Sequence, residues 1–131
     1  MNIQIIEPDK VLANTYAEAL RGAGHKVQSS TNAQAAIFAA DEHAPDAIVL
    51  ELQLVSHSGI EFLYELRSYP EWQGIPVIVC SQVPPTEFLS SWELLQTELG
   101  VIDYLYKPQT TLVKLCQTVQ KINSPAQAGA K

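Results

Sequence analysis

A doubly wound α/β domain, with five parallel strands covered by helices on both faces, is what the sequence predicts. Short apolar runs bounded by turn residues alternate with longer segments of helical period along the whole chain. Two of those runs, Ala47-Ile48-Val49-Leu50 and Val77-Ile78-Val79-Cys80, are apolar without alternation, as strands buried on both faces require. The chain has 131 residues, 47% hydrophobic and 17% charged, which suits one domain with a single sizeable core.

The elements follow in order. Ile3-Gln4-Ile5-Ile6 reads as the first strand. A helix over about 11–21 comes next, with Asp9 as its N-cap and Gly22 and Gly24 at its end. Residues 26–29 make a short second strand. Thr31 opens the second helix, with Gln34 in capping-box spacing, and the Ala-rich stretch runs to about His43. Residues 47–50 are the third strand. Gly59 stands near the start of a third helix, lined by Ile60, Leu63 and Leu66, and Trp72 packs over its end from a loop. After the fourth strand, 76–80, comes the loop Ser81-Gln82-Val83-Pro84-Pro85, then a helix over about 86–99 that Gly100 stops. The last strand is 103–106, ended by Lys107-Pro108. Leu112, Leu115, Cys116, Val119 and Ile122 mark the final helix. The domain is assigned to 1–123, and 124–131, small and polar, to a flexible tail.

Composition excludes several functions. Eight basic against fourteen acidic residues give a net charge of −6, which repels nucleic-acid phosphates. No apolar run approaches the roughly 20 residues of a membrane span. The first residues carry no export signal, so a cytoplasmic protein is expected. Cys80 and Cys116 fit reduced core thiols better than a disulfide framework. His25, His43 and His57 have no ligand spacing and are expected at the surface. No Gly-x-Ser-x-Gly surrounds Ser81, and no Walker or Gly-x-Gly-x-x-Gly loop occurs, so neither hydrolase chemistry nor nucleotide binding is expected. No catalytic residue is assigned.

In doubly wound sheets, chemistry gathers at the carboxyl ends of the strands. Here those ends carry Glu7-Pro8-Asp9, Glu51, Ser81-Gln82 and Lys107-Pro108. This placement resembles the receiver domain of two-component response regulators, over about residues 3–122. The resemblance implies a flavodoxin-like fold with strand order 2-1-3-4-5. It makes Glu51 equivalent to the phosphoacceptor, Glu7 and Asp9 the acidic pocket, Ser81 and Tyr104 the switch pair, and Lys107 the family's lysine. Gly59 matches the loop glycine, and Lys107-Pro108 is implied to be cis.

Two departures change the expected function. Glu51 stands where the family has Asp, and Pro8 where it has its second acid. The family's Mg²⁺ would fall to Glu7, Glu51 and the Gln53 carbonyl, a degenerate set, so no metal or other cofactor is expected. The chain is therefore expected to be an atypical, stand-alone receiver (a pseudo-receiver) that signals by protein contact without Asp phosphorylation. Two alternatives stand beside this: phosphate accepted on a non-standard carboxylate such as Asp9 or Glu51, or a small flavodoxin-like enzyme or ligand-binding domain. Glu51 either reaches both the Ser81 hydroxyl and the Lys107 ammonium or only pairs with Lys107. Tyr104 is either an inward-turned switch ring or simple packing. The expected partners are a histidine kinase, an output domain or a second copy, met through the fourth helix, fifth strand and fifth helix. Phe88, Trp92, Leu95 and Leu99 form one stripe, with Leu94 off it and Leu89 at its margin. Trp92, Leu94 and Tyr104 are the candidate contact residues.

Overall fold

The apolar runs become strands: β1 (Asn2–Ile6), β2 (Lys26–Ser30), β3 (Ala47–Leu50), β4 (Val77–Ser81) and β5 (Val101–Tyr106). They pair in parallel in the order β2-β1-β3-β4-β5. The helices are α1 (Lys10–Gly22), α2 (Ala33–Glu42), α3 (Gly59–Ser68), α4 (Trp92–Thr97) and α5 (Leu112–Gly129). This computed structural model describes residues 1–129, with side chains as far as Ile122. Alternation along the strands fills two cores. Ile6, Ile48, Leu50, Val77 and Val79 pack under α2, α3 and α4, whereas Ile5, Val49, Ile78 and Cys80 pack under α1 and α5.

Local chemistry sets most helix starts. Asp9 caps α1 as expected: its carboxylate accepts the N–H groups of Val11 at 3.0 Å and Leu12 at 3.1 Å. Asp9→Ala should cost about 1 kcal/mol in denaturant unfolding, the usual worth of such a cap. At α2 the expected Thr31–Gln34 box does not form. The helix begins two residues later, and Asn32 is the cap, accepting from Ala35 N at 2.8 Å. A true capping box sits at α3, between Ser58 and Glu61.

The expected fourth helix is broken. Pro85–Ser91 is a 3-10 segment whose Phe88 leaves helical geometry (φ −116, ψ 16), and only Trp92–Thr97 is α-helical. Pro84 precedes another proline and is extended (φ −62, ψ 140). Neither segment has a side-chain cap, and none of residues 85–91 is buried, so no core face holds them in a helix. Leu95 and Leu99 reach the core as expected, but Phe88 and Trp92 only lean on it.

β5 begins earlier than predicted, and its register slips beside β4. Val77 pairs with Val101 but Ile78 with Asp103, which leaves Ile102 unpaired and 49% exposed. The slip lets Val101 and Tyr104 both pack on the α4 side, while Leu105 fills the other core. At the amino ends of β4 and β5, Arg67 ends α3 by donating to three backbone carbonyls. Nε reaches Leu99 O at 3.0 Å, Nη1 Trp72 O at 2.7 Å and Nη2 Ile75 O at 2.6 Å. Gly100 (φ +69) makes room, since a Cβ there would lie 2.3 Å from Nη2. Trp72 is buried in a 3-10 turn over the end of α3, its ring 4.6 Å from that of Tyr69.

Three further expectations change. His25 is buried, unlike the exposed His43 and His57, because it follows the α1–β2 turn inward to meet the start of β1. Lys107-Pro108 is trans, since no described peptide bond is cis. It opens a 3-10 turn closed by Thr110 N on Lys107 O at 3.1 Å. The α5 backbone continues to Gly129, past the boundary expected at 123. The side chains of the expected tail lie outside the described residues.

Candidate functional site

Glu7 follows β1, Glu51 follows β3, Ser81 ends β4 and Lys107 follows β5, so parallel pairing alone brings the four together. The Lys107 ammonium lies 2.6 Å from Glu7 Oε1 and 2.6 Å from Glu51 Oε1. All three side chains are at least nine-tenths buried, so these pairs are little screened by solvent. Glu51 also takes the Ser81 hydroxyl on Oε2, Gln53 N at 3.0 Å on Oε2, and Gln82 N at 3.1 Å on Oε1. A carboxylate offers about four acceptor positions. All of those on Glu51 are filled.

Close packing makes this possible. A Cβ on Gly59 would stand 2.7 Å from Leu52 Cα and 3.0 Å from Glu51 O, so only glycine lets α3 begin against the Glu51 loop. Gly59 N then donates to Leu52 O at 2.7 Å. Glu7 Oε2 accepts Asp9 N at 3.1 Å. Asp9 itself is exposed and turned to the α1 amides, so the expected acidic pair does not form: one carboxylate is inside the pocket, the other is a helix cap.

Electrostatics follow from these contacts. Burial alone would raise the Glu51 carboxyl, but hydrogen bonds from Lys107, Ser81 and the Gln53 amide more than offset it and hold the group below its ordinary pKa. Burial likewise opposes the charge on Lys107, yet Glu51 and Glu7 raise its pKa. A divalent ion does not fit this arrangement. Mg²⁺ needs near-octahedral oxygen ligands, whereas a cationic ammonium already lies between the two carboxylates and Gln53 presents its N–H to Glu51.

A polar chain leads from the pocket to the surface. Val83 N donates to Ser81 Oγ at 3.0 Å, and the Tyr104 hydroxyl donates to Val83 O at 2.6 Å. Burial pushes the Tyr104 hydroxyl up to about 12. Its ring lies 6.0 Å from Phe88 and 6.3 Å from Trp92. Beside them is a groove of about 300 Å³ lined by Pro85, Phe88, Leu89, Trp92, Asp103 and Tyr104. Leu89 is 76% exposed, while Leu94 is half-buried. Leu89 lines this groove, and the expected contact residue Leu94 does not. A larger cleft of about 580 Å³, lined in part by Lys10, Asn32, Ser56 and His57, opens on the same edge of the sheet.

Sequence reasoning missed the backbone donors Gln53 N, Gln82 N and Asp9 N, which carry no side-chain signal. It also missed Tyr16, whose buried hydroxyl lies 3.6 Å from Cys80 Sγ.

The sequence model of the response regulator receiver domain matches residues 3–120. The chain belongs to the response regulator receiver family. This receiver domain is similar to the KDP operon transcriptional regulatory protein KdpE of Escherichia coli (strain K12), 33% identical over 107 residues, or 82% of the chain and 44% of KdpE. It is also similar to the polar-differentiation response regulator DivK of Brucella anthropi, 29% identical over 77 residues, 59% of the chain and 63% of DivK. The chain spans less than half the length of KdpE. In fold it matches the chemotaxis response regulator CheY4 of Vibrio cholerae, with TM-score 0.80, 17% identity and coverage of 92% of this chain and 97% of that one. The Francisella response regulator 1452 receiver domain gives TM-score 0.81 at 24% identity, covering 95% and 98%. The expected receiver fold and strand order stand, and the receiver serves two-component signalling. Receivers are signalling domains that meet histidine kinases and output domains. Among the described residues no helix is long and apolar enough to cross a membrane.

Proposed function

We propose that this receiver domain signals by protein contact from a state that Glu51 holds, without a phosphorylation cycle on the carboxylate at the end of β3. The observation that carries this is the saturation of Glu51 by Lys107, Ser81, Gln53 N and Gln82 N. Phosphoryl transfer needs a nucleophilic oxygen free to attack in line, with its developing charge neutralised. Here attack would require breaking several buried, charge-assisted hydrogen bonds. A glutamate also carries its oxygens one methylene beyond those of an aspartate, and misplacement by about 1 Å can cost roughly 10²-fold.

Glu51 supplies from within the chain what a phosphoryl oxygen would otherwise give: an anionic acceptor for Ser81 and Lys107. Ser81, fixed there, accepts from Val83, and the Val83 carbonyl takes the Tyr104 hydroxyl. Tyr104 in turn forms one wall of the Leu89–Trp92 groove. A histidine kinase or output domain that meets this face would find it in the same state with or without a phosphodonor.

Amide NMR with Mg²⁺ and beryllofluoride, a phosphoryl mimic, tests this. The amides of Glu51, Ser81, Tyr104 and Lys107 should not move. Saturable shifts clustered on those residues would sink the proposal and favour phosphate on Glu51; covalent phosphate mapped to Asp9 would sink it in favour of that carboxylate.

A further inference from the structure

The cleft of about 580 Å³ on the carboxyl edge of the sheet is lined by none of the residues that hold Glu51. Residues from the loops after β1, β2 and β3 form its walls, and its volume falls within the roughly 300–1,000 Å³ of small-molecule sites. No acidic residue lines it, although the chain has fourteen acidic against eight basic residues. Two of its side chains, Lys10 and His57, can donate to an anion. Lys10 pairs with no carboxylate among the described residues. Its chain neighbour Asp9 does not neutralise it, because that carboxylate is turned to the amides of Val11 and Leu12. The Thr31 and Ser56 hydroxyls add neutral donors, and Pro8 and Val55 add apolar surface. Val55, 68% exposed, is a large apolar side chain left uncovered on the wall of this cleft.

We infer that this cleft binds a phosphate monoester with a small apolar body, its phosphate held by Lys10 and His57 and its body laid on Pro8 and Val55. A phosphate monoester carries up to two negative charges and several strong acceptor oxygens, which suits an ammonium and a ring N–H together. Side chains hold it, not the α2 start, where Asn32 Oδ1 already takes Ala35 N at 2.8 Å. A longer phosphate chain needs a glycine-rich loop to wrap it, and the sequence has none. The net charge of −6 does not prevent binding, because at physiological salt exposed charges more than about 8 Å away are largely screened.

Amide NMR of the whole chain at fixed ionic strength tests this, with phenyl phosphate, adenosine monophosphate, phenol, adenosine and inorganic phosphate added in turn. At least one monoester should saturably shift the amides of Lys10, Thr31, Ser56 and His57. It should bind roughly tenfold tighter than inorganic phosphate and than its own neutral parent. The amides of Glu51, Ser81 and Lys107 should stay in place, so this outcome is read separately from the beryllofluoride result. Lys10→Gln and His57→Gln should each weaken binding roughly tenfold, about the worth of one charge-assisted hydrogen bond. Lys10→Arg should retain it. Both side chains are exposed, so these variants should fold. Lys26→Gln, which changes an exposed lysine at the start of β2, should bind as the wild type does. The absence of saturable shifts with either monoester overturns the inference. Equal affinity for inorganic phosphate overturns it too, since Pro8 and Val55 then contribute nothing. Shifts centred on Glu51 and Lys107, or equal weakening by Lys26→Gln, overturn it by placing the anion elsewhere or by reducing it to non-specific attraction.

Discussion

Lys107→Met lowers the unfolding free energy by about 3–5 kcal/mol near neutral pH, the usual cost of removing one partner from a buried ion pair. The variant keeps a side chain of similar volume, so the loss is electrostatic. Glu7 and Glu51 remain buried with no cation between them. The pH dependence separates this from a packing defect. In the wild type the folded Glu51 pKa lies below its unfolded value, so its contribution is present above the unfolded pKa and is lost as pH falls through the folded one. Lys107 has a raised folded pKa, so its contribution holds below the unfolded lysine pKa and is lost as pH rises through the folded one. In the variant Glu51 loses the Lys107 contacts that hold it down, and burial pushes it upward instead. Its stability should then rise as pH falls from about 7 toward the ordinary carboxylate range near 4, opposite to the wild type. Urea unfolding at several pH values reads both slopes. Parallel slopes would mean that the carboxylates are not coupled to Lys107.

Arg67→Ala should cost about 2–4 kcal/mol, since three backbone carbonyls lose charge-assisted donors at once. In a chain of this size that lowers the melting temperature by roughly 10 °C. Arg67→Lys should recover little, because one ammonium cannot reach three carbonyls on two separate segments as a planar guanidinium does. The partner substitution sharpens the test. Gly100→Ala strains a backbone at φ +69 and also drives a methyl into the guanidinium. In the Arg67→Ala background only the strain remains, so the two changes together should cost less than their separate effects summed. Strict additivity, measured by denaturant unfolding of the four proteins, would show that the guanidinium is not where the structure places it.

Both cases mark how far the sequence carried. The strands at β1, β3 and β4, the Asp9 cap and the buried Leu95 and Leu99 were legible because each depends on neighbours in the chain or on a local period. Arg67 was not: a single basic residue near the end of an amphipathic helix reads as surface charge, and its three acceptors are backbone groups brought in from beyond Tyr69 and from the end of the α4 segment. The fourth helix was over-extended for a related reason. Phe88, Trp92, Leu95 and Leu99 have helical spacing, but spacing does not reveal that none of residues 85–91 is buried and that only Phe88 among them leans on the core.

What the sequence by itself determined is which residues stand at the carboxyl ends of the strands. Glu7, Glu51, Ser81 and Lys107 each follow or end an apolar run, and parallel pairing must then bring them to one edge. What only the tertiary structure decided is how that edge is wired. Glu51 is saturated by amides of Gln53 and Gln82, which belong to two different loops. Asp9 turns outward to a helix while Glu7 turns in, and a one-residue slip in β5 sets Tyr104 on the α4 side. Periodicity encodes which side of an element is apolar; it does not encode where a loop closes or which backbone N–H groups that closure aims at a buried carboxylate.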